Sequence, residues 1–311
     1  MADFRQAENK VKIEGVLSEI DLKYGSFQKN GAEVESIGGS IKVLVEQVIN
    51  GEEVTLEVPV HMFSTKYTKA GKVNPSYTSI ETVMKEYKSI AATGDKSVAD
   101  KIRITNGQIK MNEFVGQNGS VVSYPRITAS FVARAVGEFK PQATFTLEFV
   151  VSKIDRVVDK DGVEVEPAKL AVDAIVPQYT PDGAAAMNVD LVPLYATSNS
   201  VIDAIEQYWN AGETFKASGR LNFSTRTETV KQEVDFGEAQ ESVRTVSTSE
   251  LVITGGSQAP LDGDYAFDIE DIKAGMAARK AKLEDLKNGT KSMAKKTPAQ
   301  STSKGKQDLG F

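Results

Sequence analysis

His61 is the single histidine of the chain, and it opens the stretch HMFSTKYTKAGKVNPSY, residues 61–77. Lys66, Lys69 and Lys72 follow, with Phe63, Tyr67 and Tyr77 between them. Two chemistries fit these residue types. An imidazole can act as a general base if a nucleophile and an orienting carboxylate stand beside it. Alternatively, amines and aromatic rings together can hold a polyanion whose subunits have flat faces: the amines take the phosphates and the rings stack on the bases. The rest of the chain gives the first chemistry no support. It has no cysteine, so it lacks a thiol nucleophile, a disulfide and a thiolate metal site, and one histidine cannot build an imidazole-rich metal centre. No GxxxxGK[ST], strand-borne GxGxxG or GxSxG motif occurs. The glycine pairs at 37–40 and 255–257 read as turns, and the carboxylates at Glu52–Glu53 and Asp268–Glu270–Asp271 read as turn or solvated-helix residues. A non-enzymatic protein without metal or cofactor is expected.

The second chemistry recurs along the chain. KYGSFQKNG (23–31) carries Tyr24, Phe27 and Lys29, and reads as a long loop between two strands. Lys42 lies on the second of these strands. In KIRIT, Lys101 and Arg103 alternate with Ile102 and Ile104; in SYPRIT, Tyr124 and Arg126 share the face opposite Ile127. The corresponding stretch of the second half offers Arg220, Phe223 and Arg226.

The elements that position these residues are mostly strands. KVKIEGVLSEI (10–20) alternates, with Val11 and Ile13 inward, Lys10, Lys12 and Glu14 outward, and a bend or bulge near Gly15. SIKVLVEQV (40–48) and EVTLEVPVHMF (53–63) flank Asn50-Gly51, a strong hairpin signal. Val54, Leu56, Val58, Val60 and Met62 share the inner face, which leaves His61 and Phe63 on the outer one; Pro59 points to a free edge or bulge. A helix is predicted over SIETVMKEYKSIAATG, capped at Thr78 or Ser79 and ended by Gly94. Strands 101–114 and 120–135 follow. This order matches an OB (oligonucleotide/oligosaccharide-binding) Greek-key barrel. It repeats with strands at 144–158, 168–179 and 187–196, a short helix at 200–212, and strands at 213–227 and 242–256. The expectation is therefore a mainly β chain: an OB-like nucleic-acid-binding domain over 1–140, a second OB-like domain over 141–256, an amphipathic helical segment over 257–289 weakened by Gly275, and a flexible basic tail over 290–311.

Composition fits a chain that buries a core, with 40% hydrophobic and 26% charged residues. The net charge of -6 argues against a uniformly basic binder but not against a local basic groove. Neither a signal peptide nor an apolar run of spanning length is read, so no membrane partner and a cytoplasmic location are expected. The chain closes Gln307-Asp308-Leu309-Gly310-Phe311 after a Ser/Thr/Lys-rich stretch. Asp308, Leu309 and Phe311 match the acidic-hydrophobic tip of bacterial and phage single-stranded DNA-binding proteins; Gly310 stands where proline is usual. Together with MKEYKSIA, ELVITGG and the helix after it, the order of elements resembles the two-barrel single-stranded DNA-binding proteins encoded by phages of Gram-positive bacteria. That resemblance implies sequence-nonspecific binding of single-stranded DNA during phage replication or recombination, in the host cytoplasm. It also implies a tip that docks replication or recombination proteins, with homo-oligomers left open. A β-rich virion component, of tail-tube or decoration type, is the alternative, and a carbohydrate-binding module would use the aromatics without the lysines.

Overall fold

The computed structural model describes residues 4–49, 51–232 and 240–294, with side chains described outside 224–247 and 290–294. The chain is mainly β, as expected. In order, the elements are β1 (Asn9–Lys29), β2 (Ala32–Ile49), β3 (Glu52–Thr65), α1 (Pro75–Glu86), α2 (Ile90–Thr93), β4 (Lys101–Val115), β5 (Val121–Thr128) and β6 (Ala133–Arg134). Then come β7 (Gln142–Arg156), β8 (Leu170–Pro177), β9 (Val189–Ala196), α3 (Asn199–Tyr208), β10 (Thr214–Gln232), β11 (Gln240–Gly256) and α4 (Ile269–Ala294).

The pairings run in two closed circuits. β1 pairs β2, β2 pairs β3, β3 meets β5 in parallel, β5 pairs β4, and β4 returns to β1. The second half repeats this with β7, β8, β9, β11 and β10, again with one parallel contact, between β9 and β11. A helix stands between the third and fourth strands of each circuit. The circuits share a ladder in which Asn9–Glu14 of β1 pairs with Gln142–Leu147 of β7. Of the inward residues named above, Val11, Ile13, Leu56, Val58, Val60 and Met62 are buried and join Phe145, Leu147 and Phe149 of the second circuit in one continuous core, while Val54 is half-buried against it.

Several expectations are corrected. KYGSFQKNG is not a loop: β1 runs on to Lys29 and forms a hairpin with β2, Tyr24 opposite Ile37 and Phe27 opposite Val34. Its turn is Asn30-Gly31, both with positive φ (52° and 79°), the conformation an Asn-Gly pair adopts at little cost. The irregularity expected near Gly15 is present. The register shifts lie on either side of Gly15, and a Cβ there would stand 2.4 Å from the Leu44 carbonyl oxygen, so its hydrogen allows β1 to cross β2 closely. Glu14 does not face solvent. It is buried, and Arg103 donates to both its oxygens at 3.1 and 2.6 Å, which holds its carboxyl below the ordinary range. The helix predicted over 79–94 is two helices. Asn74 caps α1 by accepting from the Ser76 amide, and Pro75 takes the first turn, where a missing N–H costs nothing. Tyr87 leaves helical geometry, the Lys88 amide donates to Asp100, and Ser89 caps α2.

Gly275 does not weaken α4 so much as seat it. A Cβ there would lie 2.7 Å from the Met187 carbonyl oxygen, so glycine lets the helix lie against the start of β9. On the same side Arg279 pairs with Glu113 of β4, and Asp190 of β9 accepts from the Met111 amide at 3.2 Å. Burial raises the Asp190 carboxyl. α4 thus ties the fourth strand of one circuit to the third of the other.

Candidate nucleic-acid interface

The β4–β5 ladder fixes which side chains stand on the outer surface. Ile109 and Ile127 pair inward and are fully buried. Their neighbours alternate outward in rows: Gln108 opposite Thr128, Lys110 opposite Arg126, and Asn112 opposite Tyr124. The parallel contact sets His61 of β3 beside Thr128. The chain runs on beyond β5 toward β6, the Ala129 amide donating to the His61 carbonyl at 3.0 Å, and it presents Phe131 at this face. The result is a concavity of about 770 Å³ whose lining includes His61, Phe63, Gln108, Lys110, Arg126 and Phe131. Gly39 forms part of its floor with φ 144°; a Cβ there would meet the Asp21 carbonyl oxygen at 2.0 Å.

The electrostatics follow from the lining, which contains no carboxylate. Arg126 donates to Asn112 Oδ1 at 2.9 Å, and its Nε has no protein acceptor. Among the described residues neither Arg126 nor Lys110 forms an ion pair. Burial, then the nearby Arg126 guanidinium, lowers the His61 pKa below its ordinary value, so the imidazole is neutral at pH 7. Phe63 and Phe131 are 61% and 58% exposed, and large apolar groups this open next to unpaired cations are available for stacking. Phe27 of the hairpin packs beside Phe63 with ring centroids 6.3 Å apart. Tyr124 stands edge-on to Phe114 at 6.2 Å at the far end of the same rows. The structure therefore brings Phe27, His61, Phe63, Tyr124 and Arg126 together on one face.

Other predicted residues are elsewhere or occupied. Lys66 donates to both oxygens of Glu35 at 3.0 and 2.8 Å. Lys42 pairs with Glu19 at 2.6 Å and lies 3.9 Å from Glu57. Arg103 is taken by Glu14, and Lys101 lies over the Phe139 ring at 4.9 Å. The Tyr24 hydroxyl donates to Glu81 at 2.5 Å, in a smaller hollow that holds Glu35 and Glu81 and so disfavours phosphate. Lys29, Tyr67, Lys69 and Lys72 are exposed, Lys29 at the hairpin tip and the others in the segment after β3. Phe223 is a core residue, 3% exposed, because it falls on the inward phase of β10; it is not a surface contact. Arg220 is half-buried on the outward phase. The Arg226 side chain and Asp308, Leu309 and Phe311 lie outside the described residues. Sequence reasoning missed Lys110 and Phe131. Lys110 had a signal, since it alternates with Ile109 just as Arg103 does with Ile102. Phe131 had none, because 120–135 reads as one strand until the chain is seen to leave it after Thr128.

Among the described residues no cluster of His, Asp or Glu could hold a metal ion, and no helix is long and apolar enough to cross a membrane. The fold and the groove define a β-rich chain with a cationic, aromatic-flanked surface on one of two like strand circuits. The chain belongs to the YorF family, whose model matches residues 7–289. No curated protein matches it. Among solved structures it is similar to a deletion mutant of the single-stranded DNA binding protein from Thermus aquaticus, with TM-score 0.48 and 11% identity over 83% of this chain and 97% of that one.

Proposed function

We propose that this protein binds single-stranded DNA with little sequence preference, along the groove bounded by Phe63, Lys110, Arg126 and Phe131, and that its two strand circuits are OB-type barrels. One observation carries the reading. In a chain of net charge -6, the concavity on β3, β4 and β5 has two cations, exposed aromatic rings at its sides and no carboxylate. Lys110 and Arg126 would take adjacent phosphates. Phe63, Phe131 and Tyr124 would stack on bases, each worth about 1–3 kcal/mol and indifferent to base identity. The neutral Gln108, Thr128 and Asn112 would bond sugar or base edges. A strand circuit closed by one parallel contact, with a helix between its third and fourth strands, supports the OB assignment. The setting in phage replication or recombination, with Asp308, Leu309 and Phe311 docking partner proteins, rests on the sequence resemblance alone.

The test is anisotropy of dye-labelled oligo-dT titrated with the protein at two salt concentrations. Binding that weakens steeply as salt rises, and that exceeds binding of a duplex of equal length, is the expected outcome. No binding at low salt, or equal affinity for duplex, would overturn the reading.

A further inference from the structure

We propose that His61 and Arg126 form the seat of one phosphodiester of the bound strand, with Lys110 on the adjacent one, and that filling this seat places a proton on His61. The inference rests on the single-stranded DNA reading above and adds a linkage to it. Lys110 and Arg126 face each other across the β4–β5 ladder, and the β3–β5 contact sets His61 one row away. Two like charges side by side without a counter-ion repel, so adjacent phosphates arriving at them relieve an unfavourable field. Arg126 has a donor group to give, since Nη1 bonds Asn112 and Nη2 makes no hydrogen bond among the described residues, while Nε is buried.

The phosphate at Arg126 also changes the balance at His61. In the free groove the imidazole is kept neutral by burial and by Arg126. A phosphodiester, ionised at every working pH, cancels the field of Arg126 and itself favours imidazolium. The proton comes from solvent to a ring nitrogen, and no bond of the strand is made or broken. Few other charges complicate the site. The titratable groups lining it are His61, Lys110 and Arg126. Opposite His61 stand Ser40 on β2 and Thr128 on β5, both uncharged. On the elements packed against β3, Glu81 and Lys85 of α1 bond each other, Glu35, Lys42 and Glu46 of β2 are paired with Lys66, Glu19 and Lys96, and Lys216 of β10 with Glu8; the remaining charged groups with described side chains are Glu33 of β2, Glu86 of α1 and Arg220 of β10. Asp190, the carboxyl raised by burial, lies under α4 and does not line the groove.

The sign is definite. If the bound state holds the proton more tightly than the free state, affinity rises as pH falls, by up to about tenfold per pH unit between the two midpoints. His61 is the chain's one histidine and the chain has no cysteine, so no other side chain has an ordinary pKa in this window. Untagged full-length protein, titrated with oligo-dT carrying a pH-insensitive dye at constant salt, should bind more tightly at pH 5.5 than at pH 7.5, and His61→Gln should lose that slope. The lone imidazole resonance gives a second readout by NMR: its titration midpoint should rise by about one unit or more when the protein is saturated with oligo-dT. Binding with a flat pH profile, a slope that persists in His61→Gln, or an unmoved imidazole midpoint would overturn the linkage and leave the DNA-binding reading standing. Absence of binding at every pH would overturn both.

Discussion

At the point where the third strand meets the fifth in parallel, the first circuit sets His61 against Thr128 and the second sets Tyr195 against Val252. Each fifth-strand residue also pairs with the fourth strand, Thr128 with Gln108 and Val252 with Arg220. Two residues back, the first circuit pairs Arg126 with Lys110 and the second pairs Glu250 with Asn222. The backbone frame is the same and the charge is opposite. In the second circuit Glu250 accepts from Lys169 at 2.6 Å, and the Lys169 ammonium lies over the Tyr195 ring at 4.3 Å, so its cation is already satisfied. Nearby, Arg156 is clamped between Glu206 and Glu164. At this contact the first copy leaves Lys110 and Arg126 without carboxylate partners, whereas the second pairs Lys169 with Glu250 and has, among the described residues, one unpaired cation, Arg220, in the row beside Val252. A frame of this kind is neutral about function, and a few outward side chains decide it.

The comparison is broken most severely by writing the second circuit into the first. Lys110→Asn with Arg126→Glu should weaken oligo-dT binding by about a hundredfold or more, since two charge-assisted contacts are lost and an anion is gained. Circular dichroism should stay unchanged, because both side chains are on the outer face. Retained affinity would place the strand elsewhere. Phe63→Ala and Phe131→Ala come next: each should cost about fivefold to a hundredfold in affinity with little change in salt dependence, as stacking carries no charge. A smaller effect is expected in the opposite sense. Glu250→Gln frees Lys169 and should raise affinity by about two- to fivefold; a fall would mean the second circuit's carboxylate serves binding. Smallest is Lys66→Ala, expected to change affinity by less than about threefold because Glu35 already neutralises that amine in the free protein.

Much of the frame is legible in the sequence because burial imposes a period of two. Val54, Leu56, Val58, Val60 and Met62 declare their strand and its inner face without further information, and both circuits' helices show their apolar spacing. The outer half of the β1–β2 hairpin is not legible in this way. Tyr24 to Lys29 bury little, so no alternation marks them, and only Asn30-Gly31 betrays the turn. The break between α1 and α2 depends on Asp100, which reaches back to the Lys88 amide across 12 positions. The site was half legible. Aromatic and basic residues can be counted in a sequence, but their carboxylate partners cannot: Arg103 meets Glu14 across 89 positions, and Lys66 meets Glu35 across 31. The opening stretch around Lys66, Lys69 and Lys72 therefore looked more cationic than it is. Arg126 is marked in the sequence by its alternation with Ile127, but Lys110 gains its place only when register sets it face to face with Arg126.

The central claim is that Lys110 and Arg126 each neutralise a phosphate of a single strand. It is tested most directly by the slope of log affinity for oligo-dT against log salt, compared between the natural protein and Lys110→Gln with Arg126→Gln. Each phosphate contact on a single strand contributes about 0.7 to that slope, so the double variant should be shallower by about 1.4. An unchanged slope, with affinity equal to that of the natural protein, would contradict the account.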